Sequence, residues 1–119
     1  MGELAHIRSV LDEIKGLEHV SDVSLVSRGG LYIMGDSPKG SHPETFSAMN
    51  AIMIGAAETT SAELKDGLRY MMIKLMEKDL ILVGAGTRYM LAIVTDGSGE
   101  NDHIAKSATQ IIGRVDINI

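Results

Sequence analysis

The sequence predicts a mixed α/β (α+β) domain: a five-stranded antiparallel sheet with helices on both faces, in the order α-β-β-α-β-β-β-α. Three observations predict it. The first and last segments carry apolar residues at helical spacing. Between them, five short apolar runs are joined by connections too short for parallel crossovers. Two of those runs, Leu80-Ile81-Leu82-Val83 and Met90-Leu91-Ala92-Ile93-Val94, are apolar without alternation, and such strands are covered on both faces.

In the first segment Leu4, Ile7, Leu11 and Ile14 recur at spacings of three and four, giving an amphipathic helix with Gly16 as its stop. Two runs follow, Val23 to Val26 and Leu31 to Met34. Between them lies Ser27-Arg28-Gly29-Gly30, where glycine supplies the positive φ of a tight turn, so the pair reads as a β-hairpin. Both prolines, Pro38 and Pro43, fall in a glycine- and serine-containing loop that leads into the second helix. That helix begins near Pro43 or Glu44, runs to about Leu64 and stops near Gly67. Phe46, Met49, Met53, Ala57, Thr60 and Leu64 make a bulky face; Ala48, Ala51, Gly55 and Ala62 make a face of small residues, with Ile52 and Ile54 flanking the two. From Phe46 to Ala57 the helix is apolar nearly all round, which requires burial on more than one side. One side can pack on the chain's own sheet; the other has no evident partner within a chain of this size.

Three runs follow: Tyr70 to Met76, Leu80 to Ala85 and Tyr89 to Thr95, linked by Glu77-Lys78-Asp79 and Gly86-Thr87-Arg88. After a polar loop at Asp96-Gly97-Ser98-Gly99, a last helix starts near Asn101. Its apolar face is Ile104, Ala108, Ile111, Ile112 and Val115; Lys106, Thr109, Gln110 and Arg114 face water. The 119 residues suffice for one domain and one core, with 45% hydrophobic residues and no linker or repeat. Fully burying each large apolar side chain contributes about 1.5–3 kcal/mol, which makes the fold viable. The Met-rich run Met71, Met72 and Met76 and the over-apolar second helix leave apolar surface in surplus.

Composition narrows function. A net charge of -5 and a pI near 5.2 disfavour nucleic acid, whose binding depends on clustered Lys and Arg, and disfavour an anionic membrane surface. The absence of cysteine excludes disulfides, thiolate zinc sites and cysteine nucleophiles, and fits a reducing, cytoplasmic setting. The N-terminal stretch is acidic and soon amphipathic, unlike a signal peptide. His6, His19, His42 and His103 lack metal-ligand spacing and read as solvent-facing or capping residues. Gly84-Ala85-Gly86-Thr87 lacks the Lys-Ser/Thr and the following helix of a phosphate loop, so it reads as a hairpin turn. Asp96, Ser98, Glu100 and Asp102 alternate as in a calcium loop, but Asn101 and Ser107 stand where Gly and Glu are needed, leaving a polar loop with an Asn or Asp helix cap. Gly97-Ser98-Gly99 lacks the flanks of a nucleophile elbow. These patterns point to a chain without catalytic residues or cofactors that works by binding another protein. The methionines divide between gap-filling core and protein-binding surface.

Glu44-Thr45-Phe46-Ser47-Ala48-Met49, continuing to Gly55-Ala56-Ala57-Glu58-Thr59, resembles the second helix of prokaryotic, especially archaeal, members of the roadblock or dynein light chain-related family. Ile14-Lys15-Gly16-Leu17, Gly30-Leu31 and Leu80-Ile81-Leu82-Val83-Gly84-Ala85-Gly86 extend the resemblance over nearly the whole chain, read as one roadblock-like, profilin-like domain spanning residues 1–119. The resemblance implies a homodimer, or a heterodimer with a roadblock paralogue. The third strand, with Tyr70, Met71, Met72, Ile73, Lys74, Leu75 and Met76, would pair with its mate. Ala48, Ile52, Gly55 and Thr59 would bring the two second helices together. It further implies binding and regulation of Ras-like small GTPases, or scaffolding, with Ser47, Ala51, Glu58 and Ala62 as outward, partner-facing positions. Two features depart from relatives: Arg28-Gly29-Gly30 in the hairpin, where an acidic residue often precedes the glycine, and a sequence running to Ile119 without the extended tail of some GTPase-binding members. Two other functions fit the same fold: a small-molecule sensor with a pocket bordered by the Gly84 to Gly86 turn, and a structural subunit of a larger complex.

Overall fold

The computed structural model describes residues 2–119. It contains α1 (Gly2–Lys15), β1 (Val20–Ser27), β2 (Tyr32–Gly35), α2 (Pro43–Glu63), β3 (Met71–Lys74), β4 (Asp79–Ala85), β5 (Tyr89–Thr95) and α3 (Asn101–Ile112). The strands form one sheet in the order β2-β1-β5-β4-β3, and every neighbouring pair is antiparallel. The predicted element order and sheet are therefore present.

The side-chain period of two assigns the strand residues to two cores. Val23, Leu25, Ile81, Val83, Leu91 and Ile93 face α1 and α3. Val26, Leu80, Leu82, Met90, Ala92 and Val94 face α2. β5 is buried along its whole length, as its unbroken apolar run requires. On α1 the buried stripe is Ile7, Val10, Leu11 and Ile14, while Leu4 stays exposed one turn before the sheet begins to cover the helix. α3 buries Ile104, Ala105, Ala108, Ile111 and Ile112; Val115, expected on the same helical face, lies past its end and packs against that core from the chain beyond.

Three boundaries differ from the sequence reading. The third strand is four residues long rather than seven, because the Leu75 amide donates to the Lys78 carbonyl (2.8 Å) and turns the chain at Met76-Glu77. α2 ends before Gly67: Lys65 takes the left-handed φ of 57° that stops it, a conformation glycine adopts more readily. α3 is preceded by Glu100, which makes no side-chain capping bond, instead of by an Asn or Asp cap. The hairpin turn is as expected. Gly30 has φ 96°, and a Cβ there would stand 3.2 Å from the Cα of Ala48, so only glycine lets the turn rest against α2.

The strained Lys65 gives a direct check. Lys65→Gly relieves a left-handed non-glycine residue, and we expect it to stabilise the chain by about 0.5–1 kcal/mol, read as a higher urea midpoint with an unchanged slope. A lower midpoint would show that Lys65 is held there by contacts worth more than the strain.

Candidate protein-binding surface

The helix that covers one face of the sheet alone sets the character of the surface. α2 turns Ser47, Asn50 and Ile54 fully inward. Only one of those three is apolar, against four buried apolar residues on α1 and five on α3. Ser47 is 1% exposed and Asn50 0%. Their side-chain polar atoms have no protein partner among the described residues, and neither has the hydroxyl of Ser24, also buried, on β1. Phe46, Ala51 and Met53 pack around them against the sheet. The opposite side of α2 carries Met49 (48% exposed) and Ile52 (63%), with Ala56 and Thr59 also exposed and Ala48 and Gly55 half-buried along one flank. From Thr45 to Ala62 the only charged residue is Glu58, and Glu58 is turned to an ion pair with Arg28.

This arrangement corrects the outward positions expected from the resemblance. Ser47 faces the sheet and is buried, so it presents nothing to solvent. Ala51 is half-buried, packed toward Gly30 in the hairpin turn. Glu58 is engaged by Arg28, and Ala62 alone of the four is exposed. The reason lies in close approach: Gly30 brings the hairpin within contact of Ala48 and Ala51, so the helix seats on small and polar residues and points part of its bulky face outward. Met49, Thr60 and Leu64 are accordingly exposed.

The positions expected on the third strand lie along an open sheet edge. β3 has β4 on one side and no strand on the other. Met71 and Ile73 are half-buried toward the α2 core, and Tyr70 is half-buried toward the α1 and α3 core. Met72 (39%), Leu75 and Met76 are exposed, the last completely. Lys74 already has a partner: its Nζ donates to Asp79 Oδ2 (3.2 Å), a carboxylate buried at the start of β4 that also accepts from Asn101 Nδ2 (3.0 Å). That triad ties the edge strand to α3.

Sequence reasoning missed a second anchor. Arg28 donates from Nε to the Tyr89 carbonyl (2.9 Å), from one terminal nitrogen to the Gly86 carbonyl (3.0 Å) and from the other to Glu58. A Cβ at Gly84 would stand 2.8 Å from the guanidinium, so the glycine-rich turn makes room for an arginine. Its signal was the Arg28-Gly29-Gly30 turn itself, but its acceptors lie 30 to 61 residues away.

Among the described residues no group of three or more His, Cys, Asp or Glu is placed to hold an ion. His19, at a left-handed φ of 75°, donates from Nδ1 to Asp96 Oδ2 (3.1 Å), closing the α1–β1 corner onto the β5–α3 loop. The hydrogen bond to Asp96 raises the His19 pKa above its ordinary 6.5. Asp96 is lowered below 3.8, first by the Ser98 backbone amide and then by His19. The grooves of the molecule lie open at its surface; the turn at Gly84 to Gly86 borders one of them, beside the C-terminal segment. Among the described residues no helix is long and apolar enough to cross a membrane.

An edge strand of half-exposed apolar residues and a helix with Met49 and Ile52 turned to solvent thus lie at the surface of this domain. The Roadblock/LC7 domain profile matches residues 7–95, and the chain belongs to that family. No curated protein sequence matches it significantly. Among solved structures it is similar to the gliding protein MglB of Thermus thermophilus (18% identity, 92% of this chain and 87% of that one covered, TM-score 0.78). It is also similar to MglB of Myxococcus xanthus (15%, 94% and 95%, TM-score 0.82) and to an MglB in a tetrameric arrangement (16%, 92% and 90%, TM-score 0.73).

The His19–Asp96 clip has a signed pH dependence. A raised histidine stabilises the fold fully below 6.5 and loses that contribution as pH rises through its folded pKa; a lowered aspartate contributes above 3.8 and loses it as pH falls through its own. The clip is therefore strongest between those two values. In Asp96→Asn the NMR titration midpoint of His19 is expected to fall toward the ordinary imidazole value. An unchanged midpoint would mean that the two side chains do not meet in solution.

Proposed function

We propose that the chain is a non-catalytic adaptor or regulator that works as a dimer, with itself or with a roadblock paralogue, and binds a Ras-like small GTPase. The observation that carries this reading is the outward face of α2. A helix that exposes Ile52 and Met49, with Glu58 its one charge between Thr45 and Ala62 and that one held by Arg28, presents an apolar surface that gains from being covered. Covering each large apolar side chain is worth about 1.5–3 kcal/mol. The open β3 edge supports the same reading, since pairing it with a second β3 satisfies its free backbone groups and hides Met71 and Ile73. Family membership supports a GTPase as the further partner, and the tetrameric MglB gives self-association a precedent within the fold. In this reading Ala48, Ile52, Gly55 and Thr59 line the helix pair, and Met49 with Ala56 and Ala62 faces the GTPase.

Gly55 separates assembly from folding. A Cβ there meets nothing within 4 Å, so Gly55→Glu leaves the isolated subunit's packing intact. We expect the variant to retain wild-type circular dichroism and to sediment as a monomer at concentrations where the parent is a dimer. Ile73→Lys, which charges a half-buried residue of the α2-side core, should lower stability as well. A dimer mass for Gly55→Glu would displace the helix pairing. For the GTPase, the immobilised dimer is tested against Ras-like GTPases of the same organism loaded with GDP or a non-hydrolysable GTP analogue. Retention in at least one state is expected; no retention in either would remove the regulator reading.

A further inference from the structure

On the side of the sheet away from α2, a groove runs between the approach to β3 and the flank of α3. Leu68 and Tyr70 form one wall and Ala105 with the stem of Lys106 the other; Arg69 and Asp102 stand at its rim. Two residues past the end of β3, the turn into β4 carries Met76, completely exposed, followed by the exposed Glu77 and Lys78. The groove and the turn tip are at opposite ends of the same edge strand. Residues 70 and 76 are about 20 Å apart along an extended chain, so neither tip reaches its own groove.

Antiparallel pairing of two β3 edges, the dimer reading on which this inference rests, brings each tip to the other's groove. If both α2 helices lie on one face of the joined sheet, the twofold axis is perpendicular to it. Residues directly opposite then project to the same face, and their numbers differ by an even amount. Two registers overlap the four-residue strands most fully. Carried past the strand ends, centring on Met72 brings the turn at Met76 level with the partner's Leu68, and centring on Ile73 brings it level with the partner's Tyr70. In either register the tip stands beside a residue that lines the groove. The charges are complementary as well: the turn carries Glu77 and Lys78, and the groove is lined by Arg69, Lys106 and Asp102.

We propose that the β3–β4 turn of each protomer plugs its partner's groove between β3 and α3, with Met76 as the apolar anchor and Glu77 as the charge that orients it. A flexible thioether suits an irregular groove. The plug extends the dimer contact from the paired strands and helices onto the α3 side of the sheet.

The chain has no cysteine, so engineered pairs report without background. Leu68→Cys/Met76→Cys and Tyr70→Cys/Met76→Cys are oxidised at low micromolar concentration. Opposite residues of paired strands fall within disulfide range, and at least one double variant should yield a disulfide-linked dimer. Met76→Cys alone should not, because the two tips lie at opposite ends of the joined strands. Met76→Asp, at a residue outside the subunit core, should keep its circular dichroism and weaken the dimer tenfold or more by sedimentation. A dimer in which neither pair cross-links, or in which Met76→Asp leaves the affinity unchanged, overturns the plug and leaves the dimer standing. A wild-type chain that stays monomeric at tens of micromolar overturns both.

Discussion

The sheet's two central strands are apolar on both sides, and the rest of the molecule follows from covering them. β5 hides all seven of its residues, and β4 is buried at every position but Gly84. A strand of that kind is stable only between two layers. α1 and α3 make one layer, contributing nine buried apolar side chains between them. α2 makes the other alone. β3 ends the sheet, so its outer edge has no strand beside it, and its apolar residues Met71 and Ile73 are half-buried toward α2 while Met72 is exposed.

The seat of α2 is weak for a helix of 21 residues. Ile54 is its one fully buried apolar side chain, beside Ser47 and Asn50, whose polar atoms lack protein partners. Burying an unpaired polar group costs about 1–3 kcal/mol, comparable with what burying Ile54 contributes. Phe46, Ala51 and Met53 add to its contact with the sheet, and Arg28–Glu58 ties it to the hairpin turn. Met49 and Ile52 face out. In the dimer we propose, covering Ile52 and Met49 would stabilise the helix and the assembly together. At the edge, the Lys74–Asp79–Asn101 triad ties β3 through β4 to the start of α3.

Much of this was legible in the sequence, and the remainder was not for definite reasons. β4 and β5 were readable because the unbroken apolar runs Leu80 to Val83 and Met90 to Val94, set between tight turns, read as strands covered on both faces. α1 and α3 were readable from their stripes. The existence of α2 was equally clear, but its rotation was not. A helix apolar nearly all round has no preferred phase, so the inward stripe of Ser47, Asn50 and Ile54 is decided by the close approach of Gly30, a contact 18 residues from Ala48. That is why Ser47 was placed outward and lies inside. Leu75 and Met76 read as strand because they are apolar, whereas a single backbone bond to Lys78 ends the strand before them. Arg28 and Asp79 took their roles from acceptors and donors distant in sequence.

The central claim is that a second copy covers the β3 edge and the outward face of α2. Amide hydrogen exchange across a dilution series tests it most directly, because edge amides without a partner strand exchange freely. Protection in β3 and α2 should rise with protein concentration while that of β5 stays constant. Equal protection at nanomolar and at tens of micromolar concentration, with β3 exchanging rapidly throughout, would contradict the account.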